Sequence, residues 1–281
     1  MKIGVSSYSF AKWQAQTGAD LFALCDQAKE LAFDGIEFTA LKSEDPVSEA
    51  KKLREKCENI GLPIIAYTVG ANLLCDDPDG EAERLMRCVD VAEALGVSLM
   101  RHDVATKLRE REGYTWQTAA EEMAPRIRAV TEYAAARGIR TCTENHGFLF
   151  QDSRRVETLI RLVDHPNYGW LVDLGNFLCA DEDLKKAVRR AAPYAVHVHA
   201  KDFLYRKKDP RLPDPVGFFK NRNGNFLRGT VVGHGVVPVT EDIRVLRAAG
   251  YNGWLSLEFE GMEENIPALS AGLQYLRALA Q

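Results

Sequence analysis

Acidic and imidazole side chains recur at the ends of the later apolar runs of this chain. Glu144 and His146 stand in TENHG, Asp173 in LVDLGN, His197, His199 and Lys201 in AVHVHAKDF, and Glu258 and Glu260 in LSLEFEG. An extended strand sends successive side chains to opposite faces, so His197, His199 and Lys201 share one face while Val196, Val198 and Ala200 share the other. Buried carboxylates without partners are unstable by several kcal/mol each, so a ring of them is expected only around a cation or in a tight ion-pair network. Singly, a glutamate at a strand end is more often an ion-pair partner, and a strand histidine more often a hydrogen-bonded core residue. Coincidence of Glu144, Asp173, His199 and Glu258 in strand order and parity instead predicts one metal site. Three carboxylates and one imidazole suit a hard or borderline divalent ion, with Mn²⁺ first and Co²⁺, Mg²⁺ or Zn²⁺ as alternatives.

The elements that must position these groups are legible in the periodicity. KIGVSSY, GIEFT, PIIAYTV, SLMRHDV, IRTCTENH, YGWLVDL, AVHVHAKDF and WLSLEFE read as eight strands, separated by amphipathic helical stretches, several of which stop at a glycine. Eight strand–helix repeats predict a parallel sheet closed into a (β/α)₈ TIM barrel, an α/β fold whose chemistry sits at the C-terminal ends of the strands. An open doubly wound sheet would normally show an early GxGxxG turn, and none is present. One domain spanning residues 1–281 is expected, since no linker divides the chain. Residues 203–239, after the seventh strand, form an insertion far longer than a usual βα loop. Its segment 203–232 is expected to cap the mouth, burying Phe218, Phe219, Phe226 and Leu227 and presenting Lys207, Lys208, Lys220, Arg222 and Arg228 to a polar ligand.

Composition narrows the setting. A net charge of −4 with 27% charged residues argues against a surface built for nucleic acid, although it leaves room for a local basic patch. No apolar run approaches the ~18–20 residues of a membrane span. Six cysteines without a CxxC pair, and an N-terminus without a long apolar core, lead to the expectation of a soluble cytoplasmic protein with reduced thiols.

The motifs TENHG, LVDLGNF, HVHAKDF, GHG and GWLSLEFEG, in that order, resemble the xylose isomerase-like barrel superfamily of sugar phosphate isomerases and epimerases. That superfamily includes ketose 3-epimerases, hydroxypyruvate isomerases, inosose dehydratases and apurinic endonucleases of the endonuclease IV type. The resemblance covers nearly the whole chain. It implies metal ligands at Glu144, Asp173, His199 and Glu258, with Glu144 and Glu258 also moving the proton. Epimerases usually carry histidine three residues after the sixth-strand aspartate; Asn176 stands there, so substrate anchoring must differ. Further zinc ligands of the endonucleases have no counterpart in DLGN, AYTVGAN or FLRGTVVGHG, which argues against a trinuclear zinc site. The FFKNRNGNFLRGTVVGHG segment is also similar, more distantly, to metal-dependent barrel subunits that cleave 3-oxo-glycosides.

The implied chemistry is proton abstraction next to the carbonyl of a small ketose, aldose or polyol derivative, through an enediolate held by the metal. The same intermediate serves a lyase, a keto-inositol dehydratase or a deglycosidase, so those remain alternatives, with an abasic-site endonuclease disfavoured. Substrate contacts are expected from His102, His146, Asn176, Lys201 and Arg228, with His197 bonded to a neighbouring strand, Glu260 in a supporting or surface role, and His234 in a turn. The partner is a small sugar or polyol, with a homo-oligomer open.

Overall fold

The computed structural model describes residues 1–280 of the chain. Eight parallel strands close into a barrel: β1 (Ile3–Ser6), β2 (Gly35–Thr39), β3 (Ile64–Val69), β4 (Leu99–His102), β5 (Arg140–Glu144), β6 (Tyr168–Asp173), β7 (Ala195–Ala200) and β11 (Leu255–Leu257), the last pairing with both β7 and β1. Each of the eight runs read as strands supplies one of them. Around the barrel lie α1 (Ala11–Thr17), α2 (Leu21–Glu30), α3 (Pro46–Ile60), α4 (Pro78–Leu95), α5 (Trp116–Ala135), α6 (Ser153–Val163), α7 (Leu184–Ala191), α8 (Val239–Ala248) and α9 (Asn265–Ala280). The fold is therefore the expected TIM barrel. No described helix is long and apolar enough to cross a membrane.

The local chemistry explains where helices begin and end. Asp20, Asp45, Asp77, Asp152 and Asp183 each precede a helix and accept a hydrogen bond from a backbone N–H of its first turn, satisfying donors that have no partner within the helix. At the other end, Gly61 and Gly96 stop α3 and α4 in the left-handed conformation, at φ +64° and +74°. The short helix α1, which follows the first strand after a 3₁₀ turn at Ser7–Phe10, is not evident from periodicity because it buries no side chain fully.

Inside the barrel, Ala66, Leu99, Cys142 and Leu171 form a small apolar plug, separate from the main core between sheet and helices. Polar side chains lie toward the C-terminal ends. Parity places Glu37, Arg101, Glu144, Asp173, His199 and Glu258 on the lumen side, because Thr68 pairs with Arg101, Asp173 with His199, and Ser256 with His199.

The insertion is folded. The strand read as AVHVHAKDF ends at Ala200, and a new strand, β8 (Asp202–Arg206), begins a small antiparallel sheet with β10 (Phe226–Thr230) in the middle and β9 (Phe219–Lys220) at its other edge. Asp202 makes the break. Its carboxylate accepts hydrogen bonds from the N–H groups of Phe203, Gly233, Gly235 and Val237, at 2.8, 3.0, 2.8 and 3.0 Å. This fixes the GHG turn, where Gly233 has φ +96° and any Cβ on Gly235 would lie 2.2 Å from Asp202 Oδ1. His234 itself is exposed. Further along, Asn221, Asn223 and Asn225 all donate side-chain hydrogen bonds to Asp181, and Arg222 pairs with Asp152 at 2.8 Å.

Candidate metal centre

Four strand ends bring Glu144, Asp173, His199 and Glu258 to one place, each with a donor atom within 4.8 Å of the other three. His199 Nδ1 is 3.8 Å from Glu144 Oε1, 3.9 Å from Asp173 Oδ2 and 3.6 Å from Glu258 Oε2. Oxygen and nitrogen ligands placed ~2.0–2.6 Å from a common ion stand about 3–5 Å from one another, so the spacing fits one cation.

Local folding aims each donor. Asp173 uses Oδ1 to accept from the N–H groups of Gly175 and Asn176, both at 2.8 Å, which leaves Oδ2 facing the cluster. Asp173 Oδ2 and His199 Nδ1 are buried without a hydrogen-bond partner. Such atoms are rare unless something outside the protein satisfies them. Glu144 is fixed by Arg101, whose Nε donates to Oε2 at 2.7 Å and whose terminal nitrogen pairs with the same oxygen, and by Asn176 Nδ2, which donates to Oε1 at 2.9 Å. Lys201 Nζ lies 2.6 Å from Glu258 Oε2, 3.4 Å from Asp173 Oδ2 and 3.7 Å from Glu260 Oε2.

Beneath the cluster, Glu37 reaches across the lumen. Its Oε2 accepts from His197 Nε2 at 2.8 Å, and Oε1 lies 2.7 Å from His199 Nε2, a close contact without an aligned hydrogen bond. His197 thus bonds the opposite side of the barrel, not a neighbouring strand as expected, because both side chains point inward and the lumen is narrow. Glu37, His197 and His199 also form a compact group of their own.

The electrostatics follow from burial and charge count. Six carboxylates, Glu37, Asp103, Glu144, Asp173, Glu258 and Glu260, gather here; Arg101 and Lys201 ion-pair with five of them, and Lys42 and Arg228 line the mouth further out, so the mouth holds a surplus of negative charge. Burial pushes the Asp173 carboxyl up to about 6, with Glu144 and Glu258 adding to it and Lys201 opposing. Burial would also raise Glu258, but Lys201 and His199 outweigh it and hold this carboxyl well below its ordinary range. For His199, burial favours the neutral ring, while Glu37 and Glu258 overcome it and raise the imidazole well above its usual value. A further cation is the natural answer to this balance, and the donor set fits one.

Of the expected substrate contacts, His146, Asn176, Lys201 and Arg228 line the mouth. His146 Nδ1 is 3.0 Å from Asp103 Oδ1. His102 does not reach the site. It points out of the lumen, fully buried, and stacks on Tyr168 with ring centroids 5.9 Å apart. In LMRHD the lumen-facing residues are Leu99 and Arg101, and it is Arg101 that enters the centre. Of the five insertion cations expected to face a ligand, Arg228 lines the mouth; Arg222 pairs with Asp152 and Lys220 with Asp214. Sequence reasoning missed Glu37, Arg101, Asp103 and Tyr8. Alternation in GIEFT and LMRHD carries the signal for Glu37 and Arg101, since each is a charge on the face opposite the apolar Ile36, Phe38 and Met100.

Comparison with known proteins agrees with the architecture. The chain is 26% identical to inosose dehydratase of Clostridium perfringens over 162 residues, 57% of this chain and 51% of that protein, so it spans about half the length of the curated relatives it matches. Among solved structures, a xylose isomerase domain protein from Planctomyces limnophilus superposes with a TM-score of 0.77 at 18% identity, covering 99% of this chain and 96% of that one. D-psicose 3-epimerase from Clostridium cellulolyticum H10 superposes with a TM-score of 0.74 at 19% identity, covering 100% of both. A family model described as xylose isomerase-like TIM barrel matches residues 25–279, and the chain belongs to that family.

Proposed function

We propose that the protein is a divalent-metal-dependent sugar isomerase or epimerase, which removes a proton next to the carbonyl of a small sugar or polyol derivative and returns it to a different position or face. The observation that carries this reading is the convergence of Glu144, Asp173, His199 and Glu258 on one point, with Asp173 Oδ2 and His199 Nδ1 buried there without a hydrogen bond. Those four residues would hold the ion, Mn²⁺ by preference, which when bound polarises the carbonyl and stabilises negative charge on its oxygen. Glu144 and Glu258 are the proton-transfer pair. Arg101 and Asn176 orient the first, and Lys201 keeps the second ionised and able to accept a proton. His146, Asn176 and Lys201 are placed to bind substrate oxygens.

A second reading, β-elimination, is favoured by one feature. The Lys201 ammonium stands 2.6 Å from Glu258, so a proton donor for a departing hydroxyl lies beside the base. The similarity to inosose dehydratase points the same way. One experiment covers both: incubate the Mn²⁺-loaded protein in D₂O with free ketoses, keto-inositols and 3-oxo-glycosides, and follow each by NMR. Deuterium at the carbon next to the carbonyl with the skeleton intact supports isomerase or epimerase, and loss of water or an alcohol supports elimination. No exchange on any substrate class with Mn²⁺, Co²⁺, Mg²⁺ or Zn²⁺ refutes the proposal.

A further inference from the structure

The cavity over the metal centre, about 460 Å³ and walled largely by polar and charged side chains such as Arg101, Glu144 and His199, is by itself within the ~300–1,000 Å³ of an ordinary ligand site. It continues into a second compartment of about 660 Å³, with Tyr8, His146, Lys201 and Glu260 lining both. The second compartment is chemically different. Phe148, Phe219 and Met262 present large apolar surface there, at 52%, 38% and 56% exposure. Phe219 is a fixed wall, because Phe203 packs edge-on against it with ring centroids 5.8 Å apart and planes at 78°. Apolar side chains left open in a recess continuous with a polar site mark a ligand surface.

Arg228 adds a polar feature. Its guanidinium lies over the Phe218 ring at 5.4 Å, its Nε is buried without a hydrogen-bond partner, and among the described residues no carboxylate lies within ion-pair distance of it. A free hexose fits this half of the cleft poorly, since its hydroxyls would exchange water for Phe148, Phe219 and Met262 and gain no hydrogen bonds from them.

We propose that the substrate is a conjugate: its sugar or polyol part sits at the metal centre, and a planar aromatic substituent bearing an oxygen acceptor lies between Phe148, Phe219 and Met262 with that oxygen facing Arg228. This inference rests on the reading of the mouth as a site for polyol chemistry. It adds a specificity compartment built half from barrel loops and half from the insertion.

The test uses the full chain loaded with Mn²⁺ and two stable probes, 4-hydroxyphenyl β-D-glucopyranoside and methyl β-D-glucopyranoside, with affinities from calorimetry and ligand contacts from saturation-transfer NMR. The aryl glycoside is expected to bind at least ~10-fold tighter, the range of one good aromatic contact plus a hydrogen bond, with saturation strongest on its ring protons. Phe219→Ala and Met262→Ala, both at partly exposed positions, should each cut that preference several-fold, and Arg228→Met should cut it for the hydroxyphenyl probe more than for phenyl β-D-glucopyranoside. Equal affinity for aryl and methyl probes, or a preference that survives all three substitutions, overturns the proposal. Deuterium exchange on the 3-oxo forms of the same glycosides separates the two readings. An aryl preference in binding without exchange on either compound leaves the compartment standing and removes the proton-abstraction reading; exchange with no aryl preference does the reverse.

Discussion

Replacing Glu37 by glutamine tests whether the centre depends on a group that reaches it only through histidine. The carboxylate faces two imidazole nitrogens, His197 Nε2 at 2.8 Å and His199 Nε2 at 2.7 Å. An ionised carboxylate meets both as N–H groups, which leaves the His199 lone pair on Nδ1, toward Glu144, Asp173 and Glu258. Glutamine keeps the shape but offers one acceptor and one donor. One of the two rings must then turn its lone pair toward the amide, and for His199 that moves the proton to Nδ1, where the metal would bind. With the ring neutral, the 2.7 Å contact is one of a carboxylate with a ring dipole, and it acts on the centre by setting which nitrogen carries the proton and how the ring is turned. Groups that orient a metal-bound histidine typically change affinity by about 10–100-fold, or ~1.4–2.8 kcal/mol, and that is the expected loss for Mn²⁺. Calorimetric titration of chelator-treated Glu37→Gln against wild type measures it, with circular dichroism to show that the fold persists. At saturating Mn²⁺ turnover should recover to within a few-fold. A dissociation constant within twofold of wild type would sink the argument. So would abolished binding in both Glu37→Gln and His197→Ala with Asp173→Asn unaffected, since the ion would then sit among Glu37, His197 and His199 instead.

Glu144→Gln and Glu258→Gln should each lower turnover by at least ~10²-fold with Mn²⁺ content measured beside the rate, and wild-type turnover in either removes it from proton transfer. Lys201→Met is expected to bind Mn²⁺ at least as tightly as wild type, because a competing cation is gone, while kcat falls at least ~10-fold; unchanged kcat and KM would reduce Lys201 to an ion-pair partner of Glu260. Asp242, in the first turn of α8, is buried with Oδ2 unpartnered, and burial followed by Glu241 pushes its carboxyl from 3.8 up to about 7. A carboxyl raised on folding does nothing below its unfolded value and destabilises increasingly as pH climbs toward the folded value. Asp242→Asn should therefore stabilise the protein against urea by an amount that grows by about 2 kcal/mol between pH 5 and pH 8; a gain independent of pH, or none, refutes this.

The barrel was legible because each strand announces itself by a short apolar run and most helices by an aspartate cap or a glycine stop, signals local to a few residues. The four converging donors were legible for a related reason: parity and position at a strand end are both local, and the fold supplies the rest. What failed was whatever depends on the far side of the lumen. Glu37 looks like any strand glutamate until His197 and His199 are seen opposite it. His102 attracted notice as the last residue of its strand, yet alternation in LMRHD assigns the lumen to Arg101. The insertion defeated pattern reading because loops rich in Pro, Asn and Gly separate its strands and β9 is only two residues long. Its stability comes from distant partners such as Asp181 and Asp152.

Asp202 gathers both ends of that insertion onto one carboxylate, two residues beyond the end of the strand that carries His199. Mechanically the two ends of the intervening segment are clasped together beside β7, and its middle is held separately by Asp181 and Asp152. Changes of length or sequence between those ties should reach β7 only through the clasp. Exchanging the segment between members of this family should then alter which molecules the mouth admits while the depth and direction of His199 stay as they were, making the insertion an interchangeable part fitted to a fixed catalytic frame.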